Sequence, residues 1–129
     1  MLRNFAASAG QGRYRVEVQA TLTADGLIVQ VLGGEKPHVG AVVFSLPRPS
    51  QSEPGTLRAT STVVPRYGHR DDELARPVAE RLVTALGHPV VVVAGVHIAA
   101  ATPEEIKLLV ANAHQAVEKL IAVINAASG

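Results

Sequence analysis

A run of apolar residues too short to cross a membrane and too unbroken for a surface strand, Val90-Val91-Val92-Val93-Ala94-Gly95-Val96, constrains this chain more than any other stretch. β-Branched residues favour extended backbone, and the missing alternation of polar and apolar residues predicts a strand buried on both faces at the centre of a sheet. The run is far shorter than the roughly 20 residues a membrane-spanning helix needs. A soluble protein with no membrane partner is expected.

Other strands can be read around this centre. Residues 13–23 alternate charged or polar with apolar side chains, and Ala24-Asp25-Gly26 supplies a hairpin turn into Leu27-Ile28-Val29-Gln30-Val31-Leu32. A third strand is expected over 39–46, stopped by Pro47 and Pro49, and a fourth over 57–64, ended by Pro65. A helix beginning near Asp72 to Leu74 carries Pro77 awkwardly beyond its first turn and ends at Leu86-Gly87-His88-Pro89. Thr102-Pro103-Glu104-Glu105 is a capping box with proline at the first helical position, and Ile106, Leu109, Val110, Ala113, Val117, Leu120, Ile121 and Ile124 follow at helical spacing. That apolar stripe can face its own sheet or a second subunit, which leaves a homodimer open.

The order ββββαβα predicts a single α+β domain over residues 1–129, with a mainly antiparallel sheet of about five strands covered by two helices. Residues 1–11 are expected to be flexible and 126–129 frayed. There is no internal repeat and no linker that would justify a second domain.

Composition narrows the function classes. With no cysteine there are no disulfides, thiolate metal sites, iron–sulfur clusters or thiol nucleophiles, and the usage suits a reducing cytoplasm. The N-terminus lacks the apolar core of a signal peptide, so cytoplasmic localisation is expected. Residues 1–70 hold eight Lys/Arg against four Asp/Glu, and residues 71–129 four against seven. The arginines at 13, 15, 48, 58, 66 and 70 are scattered, and two Tyr, two Phe and no Trp offer few stacking platforms. An anion pocket fits that distribution better than a nucleic-acid surface.

The candidate chemistry lies in three histidines, each where a strand meets a turn: His38 after Gly33-Gly34-Glu35-Lys36-Pro37, His69 after Tyr67-Gly68, and His97 at the end of the valine run. Imidazole ligates metals and changes charge near neutral pH, and strand ends are where pockets are built. Convergence of the three would give a shared site able to hold a divalent first-row metal ion with positions left open. Taken singly, each is better explained as a partly buried histidine bonded to backbone, and it is three in similar junctions that favour a shared site. Asp71 or Asp72 could orient a ring, although helix capping accounts for both, and His88 and His114 read as structural. Neither Ser45 nor Ser61 sits in a Gly-x-Ser-x-Gly elbow, and Gly33-Gly34 precedes a strand where phosphate-binding glycine loops precede a helix.

The strings Gly33-Gly34-Glu35-Lys36-Pro37-His38-Val39-Gly40-Ala41-Val42, Gly68-His69-Arg70-Asp71-Asp72 and Ala94-Gly95-Val96-His97-Ile98, with Thr102-Pro103-Glu104-Glu105-Ile106, resemble the LpdD-like family of small prenylated-flavin chaperones. The likeness runs from about Gly12 to Ile124. It implies a fold similar in shape to proteasome-assembly chaperones. It also implies a non-catalytic subunit that binds reduced prenylated FMN and delivers it to a UbiD-type decarboxylase. On that reading the cofactor phosphate is expected near Arg66 or Arg70 and the first helix N-terminus, with His38, His69 and His97 contacting a metal or the flavin. A metal-dependent hydrolase or lyase using the three histidines, and a protein-interaction scaffold, are the alternatives.

Overall fold

Alternation along the chain resolves into six strands and two helices: β1 (Arg3–Ala9), β2 (Val16–Leu22), β3 (Leu27–Gly34), β4 (Ala41–Pro49), β5 (Leu57–Pro65), α1 (Asp72–Leu86), β6 (Val90–His97) and α2 (Pro103–Ser128). The computed structural model describes residues 2–128, so Met1 and Gly129, the outermost positions of the segments expected to be flexible or frayed, lie outside the described residues.

The valine run is interior to the sheet, whose order is β1-β2-β3-β6-β4-β5. It lies parallel to β3 and antiparallel to β4, and every other pairing is antiparallel. A parallel neighbour cannot be reached by a hairpin, and α1 is part of the crossover that returns the chain. Val16 and Val18 of β2, Val29 and Val31 of β3, Val43 of β4 and Val90 and Val92 of β6 are fully buried on one face. There α1 packs on β4, β5 and β6 while α2 packs on β1 and β2. Each such side chain contributes about 1.5–3 kcal/mol when fully buried.

Four expectations need correction. The sheet has six strands rather than five, because residues 3–9 form an edge strand paired with β2 from Arg3↔Leu22 to Ala9↔Val16 instead of a flexible lead. Its alanines and serine carry little strand propensity. The strand forms because small side chains at Ala7 and Ala9 let α2 lie close against it. The C-terminal end is helical through Ser128 rather than frayed from 126. Pro47 does not stop β4. Beyond Ser45 that strand has lost β6 and is paired only with β5, the edge-like setting in which a missing N–H is tolerated. Finally, β6 is covered on one face only: Val91 and Val93, which alternate with the buried set, remain half-exposed on the opposite side.

The stripe on α2 faces its own sheet, with Leu109, Ala113, Val117, Leu120, Ile121 and Ile124 buried. No helix is long and apolar enough to cross a membrane among the described residues. Ser45, fully buried, shares a 2.9 Å hydrogen bond with Ser61, whose hydroxyl donates to Glu80 at 2.7 Å. This chain of hydroxyls ties α1 to β4 and β5.

Candidate functional site

Glycines position the site by letting backbones meet where side chains would collide. At Gly34 (φ 77°) a Cβ would strike the His97 carbonyl, and at Gly95 it would strike the carbonyl of His38. Because both are bare, β3 continues to Gly34 beside His97, and the following loop folds onto the end of β6. The N–H groups of Glu35 and Lys36 both donate to the His97 carbonyl, at 2.8 and 3.1 Å. The 33–38 stretch, read from sequence as a loop between strands, is thus half strand and half a backbone clasp.

That clasp presents His38 to the turn preceding α1. Its Nδ1 is 2.9 Å from the Lys36 carbonyl and its Nε2 is 2.8 Å from Asp71 Oδ2. The other carboxylate oxygen of Asp71 accepts the Val96 N–H at 3.1 Å. His69 Nδ1 lies 3.8 Å from the same Oδ2. Gly40 completes the arrangement, since a Cβ there would run into the Asp71 carboxylate.

The chemistry of this donor set is constrained. A backbone carbonyl only accepts, so His38 Nδ1 carries a proton and donates it, the bond that orients a ring to use its Nε2. Nε2 then faces a carboxylate oxygen. Two electron-rich atoms at that distance require a positive centre between them, either a proton or a metal ion. The ligating atoms of His38, His69 and Asp71 all lie within 4.8 Å of one another, and two imidazoles with one carboxylate are a donor set suited to a divalent first-row ion.

The three histidines are brought together. The His38 and His69 rings are 4.8 Å apart between centroids, and His97 lies edge-on to His38 at 6.3 Å. All three line one cavity of about 730 Å³ between the start of α1, the end of β6 and α2. Its polar wall includes Arg70, Asp71 and Glu73, and its apolar wall Leu74, Ile98, Ile106, Leu109 and Val110. Arg70 forms no ion pair among the described residues and reaches the cavity with its charge free. Arg66 is placed elsewhere. Its guanidinium donates to the Val39 carbonyl at 3.0 Å, so it braces the clasp and is not among the cavity-lining residues.

Asp71 was the residue sequence reasoning assigned to helix capping. Its backbone does occupy the N-cap of α1, but its side chain makes no capping hydrogen bond. Nothing local distinguishes it from Asp72, and only the approach of His38 across Gly40 reveals its use.

Sheet, two helices and a ligand-sized cavity place this chain among small α+β domains with a proteasome-assembly-chaperone fold. It is similar to a chain in a crystal structure described as a novel chaperone complex for yeast 20S proteasome assembly. The TM-score is 0.62, covering 99% of this chain and 98% of that one at 17% identity, a likeness of fold alone. No curated protein matches the chain. The model of the prenylated flavin chaperone LpdD-like domain matches residues 10–125, and the chain belongs to that family.

Proposed function

We propose that this chain is a non-catalytic cytoplasmic carrier that binds reduced prenylated FMN and hands it to a UbiD-type decarboxylase. The observation that carries the reading is the convergence of His38, His69, His97 and Arg70 on one cavity with an apolar wall. Its volume of about 730 Å³ falls in the range that accommodates cofactor-sized molecules. The family match over residues 10–125 supports the same ligand class.

The residues present fit the cofactor. Arg70, a free cation beside the N-terminus of α1, would take the phosphate, while Leu74, Ile98, Ile106 and Leu109 would shield the flavin from water. Arg66, engaged with Val39, drops out of the binding set. A divalent first-row ion would be held by His38, His69 and Asp71, leaving His97, edge-on beside His38, to hydrogen-bond the ligand. Bound flavin would be the cofactor that the decarboxylase uses. This chain binds and shields it.

Anaerobic titration with reduced prenylated FMN should give a saturable complex. Replacing His69 by alanine should weaken it about tenfold, the worth of one charge-assisted hydrogen bond. Mixing carrier, cofactor and apo-decarboxylase should recover more activity than a control without the carrier, and no gain would sink the delivery role. The second reading is a metal-dependent hydrolase or lyase, favoured by the His38–His69–Asp71 cluster. Such an enzyme would turn over substrate without a partner.

A further inference from the structure

The helices cover one face of the sheet and leave the other bare. On the bare face, cross-strand register aligns Ile28, Val91 and Phe44 in one row and Val93, Val42 and Val64 in the next. Leu32 extends the patch at one end and Leu46 at the other. Ile28 is 51% exposed, Phe44 47%, Leu46 42% and Val64 60%, while the valines between them are half-buried. Eight apolar side chains on four adjacent strands are thus contiguous.

A contiguous patch of this extent is of the size that often marks an interaction surface. The flanking positions in the same rows are neutral: Asn4, Ala6, Gln19, Thr21, Gln30 and Thr62. The charges on this face sit at its ends, where Arg15 pairs with Glu17, Arg58 pairs with Glu53, and Arg48, opposite Arg58, donates to the Thr60 hydroxyl at 3.1 Å.

We infer that this face is the interface between two copies of the chain, packed sheet to sheet about a two-fold axis. Three observations select a second copy as the occupant. A neutral apolar centre matches a surface like itself, and a two-fold axis makes one patch serve both sides. The size is adequate. Across the whole six-stranded face, five gaps of about 4.8 Å and about 25 Å along the strands give a footprint near 600 Å², of which the four-strand apolar patch is the central part at about 360 Å², against the roughly 800 Å² of accessible surface each partner buries in a stable complex. Two sheets of the same twist also stack face to face without strain. Third, the histidine cavity opens on the helix side, among residues of α1 and α2, so this pairing leaves both cavities clear. The α2 stripe, the other surface that could pair subunits, is already buried against its own sheet. This inference is independent of what the cavity binds.

Sedimentation analysis at micromolar concentration should give a particle of about 27 kDa, twice the 13.5 kDa chain. Phe44→Glu and, separately, Leu46→Glu should shift it to monomer, weakening the dimer by at least tenfold, because the first places a charge at the centre of the apolar patch and the second at its edge. Both side chains are solvent-facing in the single chain, so each variant should keep its fold by circular dichroism, and the second stands in if the first does not. Val123→Glu, on the exposed side of α2, should leave the dimer intact. A monomeric wild type would overturn the inference. So would a dimer that survives both sheet variants, or one that is lost in Val123→Glu alone.

Discussion

The two helices begin with the same chemistry and spend it differently. At α2, Thr102 Oγ1 accepts the Glu105 N–H at 3.1 Å and Glu105 Oε1 accepts the Thr102 N–H at 3.0 Å, a complete capping box. Glu105 also accepts the Tyr14 hydroxyl at 2.6 Å, tying the helix start to the turn before β2. At α1, Asp71 stands at the equivalent position, its carbonyl accepting from Leu74 and Ala75, yet its carboxylate turns away to the Val96 N–H and His38. One terminus uses its acid to stabilise a helix, and the other diverts it to fix an imidazole. A local rule obeyed at one end of the molecule and broken at the other is where a candidate site is sought.

The contrast can be broken most severely at Asp71. Asp71→Ala should reduce affinity for metal or flavin by about 10- to 100-fold, as removal of groups that fix metal-site histidines does. It should also cost about 1–3 kcal/mol of stability, because the buried Val96 N–H loses its acceptor. Titration and thermal melts read the two effects, and a variant that binds like wild type would return Asp71 to a purely structural role. Gly40→Ala attacks the same carboxylate sterically. The new Cβ must displace Asp71, and a stability loss of about 1–3 kcal/mol with weakened binding is expected. Thr102→Ala should cost only about 1 kcal/mol and leave binding unchanged, which sharpens the difference between the two termini.

The smallest effect is a pH dependence at α2. The Tyr14 hydroxyl, then the Thr102 N–H, hold the Glu105 carboxyl below the usual carboxylate range. The folded-state value lies below the unfolded one, so this contribution is complete above the usual range and is lost as pH falls through the lowered value. Denaturation of Glu105→Gln and wild type should therefore converge in strong acid. A gap that stays constant down to that pH would remove the carboxylate as its source.

Much of the sheet was legible because alternation and β-branching act locally: β2, β3, the first half of β4, β5 and β6 all announce themselves. β1 did not, since Ala6-Ala7-Ser8-Ala9 becomes a strand only when β2 and α2 are present to pair with and cover it. The histidines were legible as a set because His97 closes β6 while His38 and His69 lie in the short turns beside strand ends, and the structure gathers them. Asp71 was hidden behind an equally good local explanation. Arg66 looked like an anion ligand because charge is visible in sequence, whereas the Val39 carbonyl that occupies it is not. The bare face of the sheet was masked for a related reason: Val91 and Val93 read as interior, and the chain itself does not cover them.

The cavity draws on residues as far apart as His38 and Val110, and Ile106, Leu109 and Val110 of α2 supply most of its apolar wall, with Leu74 of α1 and Ile98 completing it. A chain cut before α2 would keep all three imidazoles but lose the greater part of the apolar wall beside them.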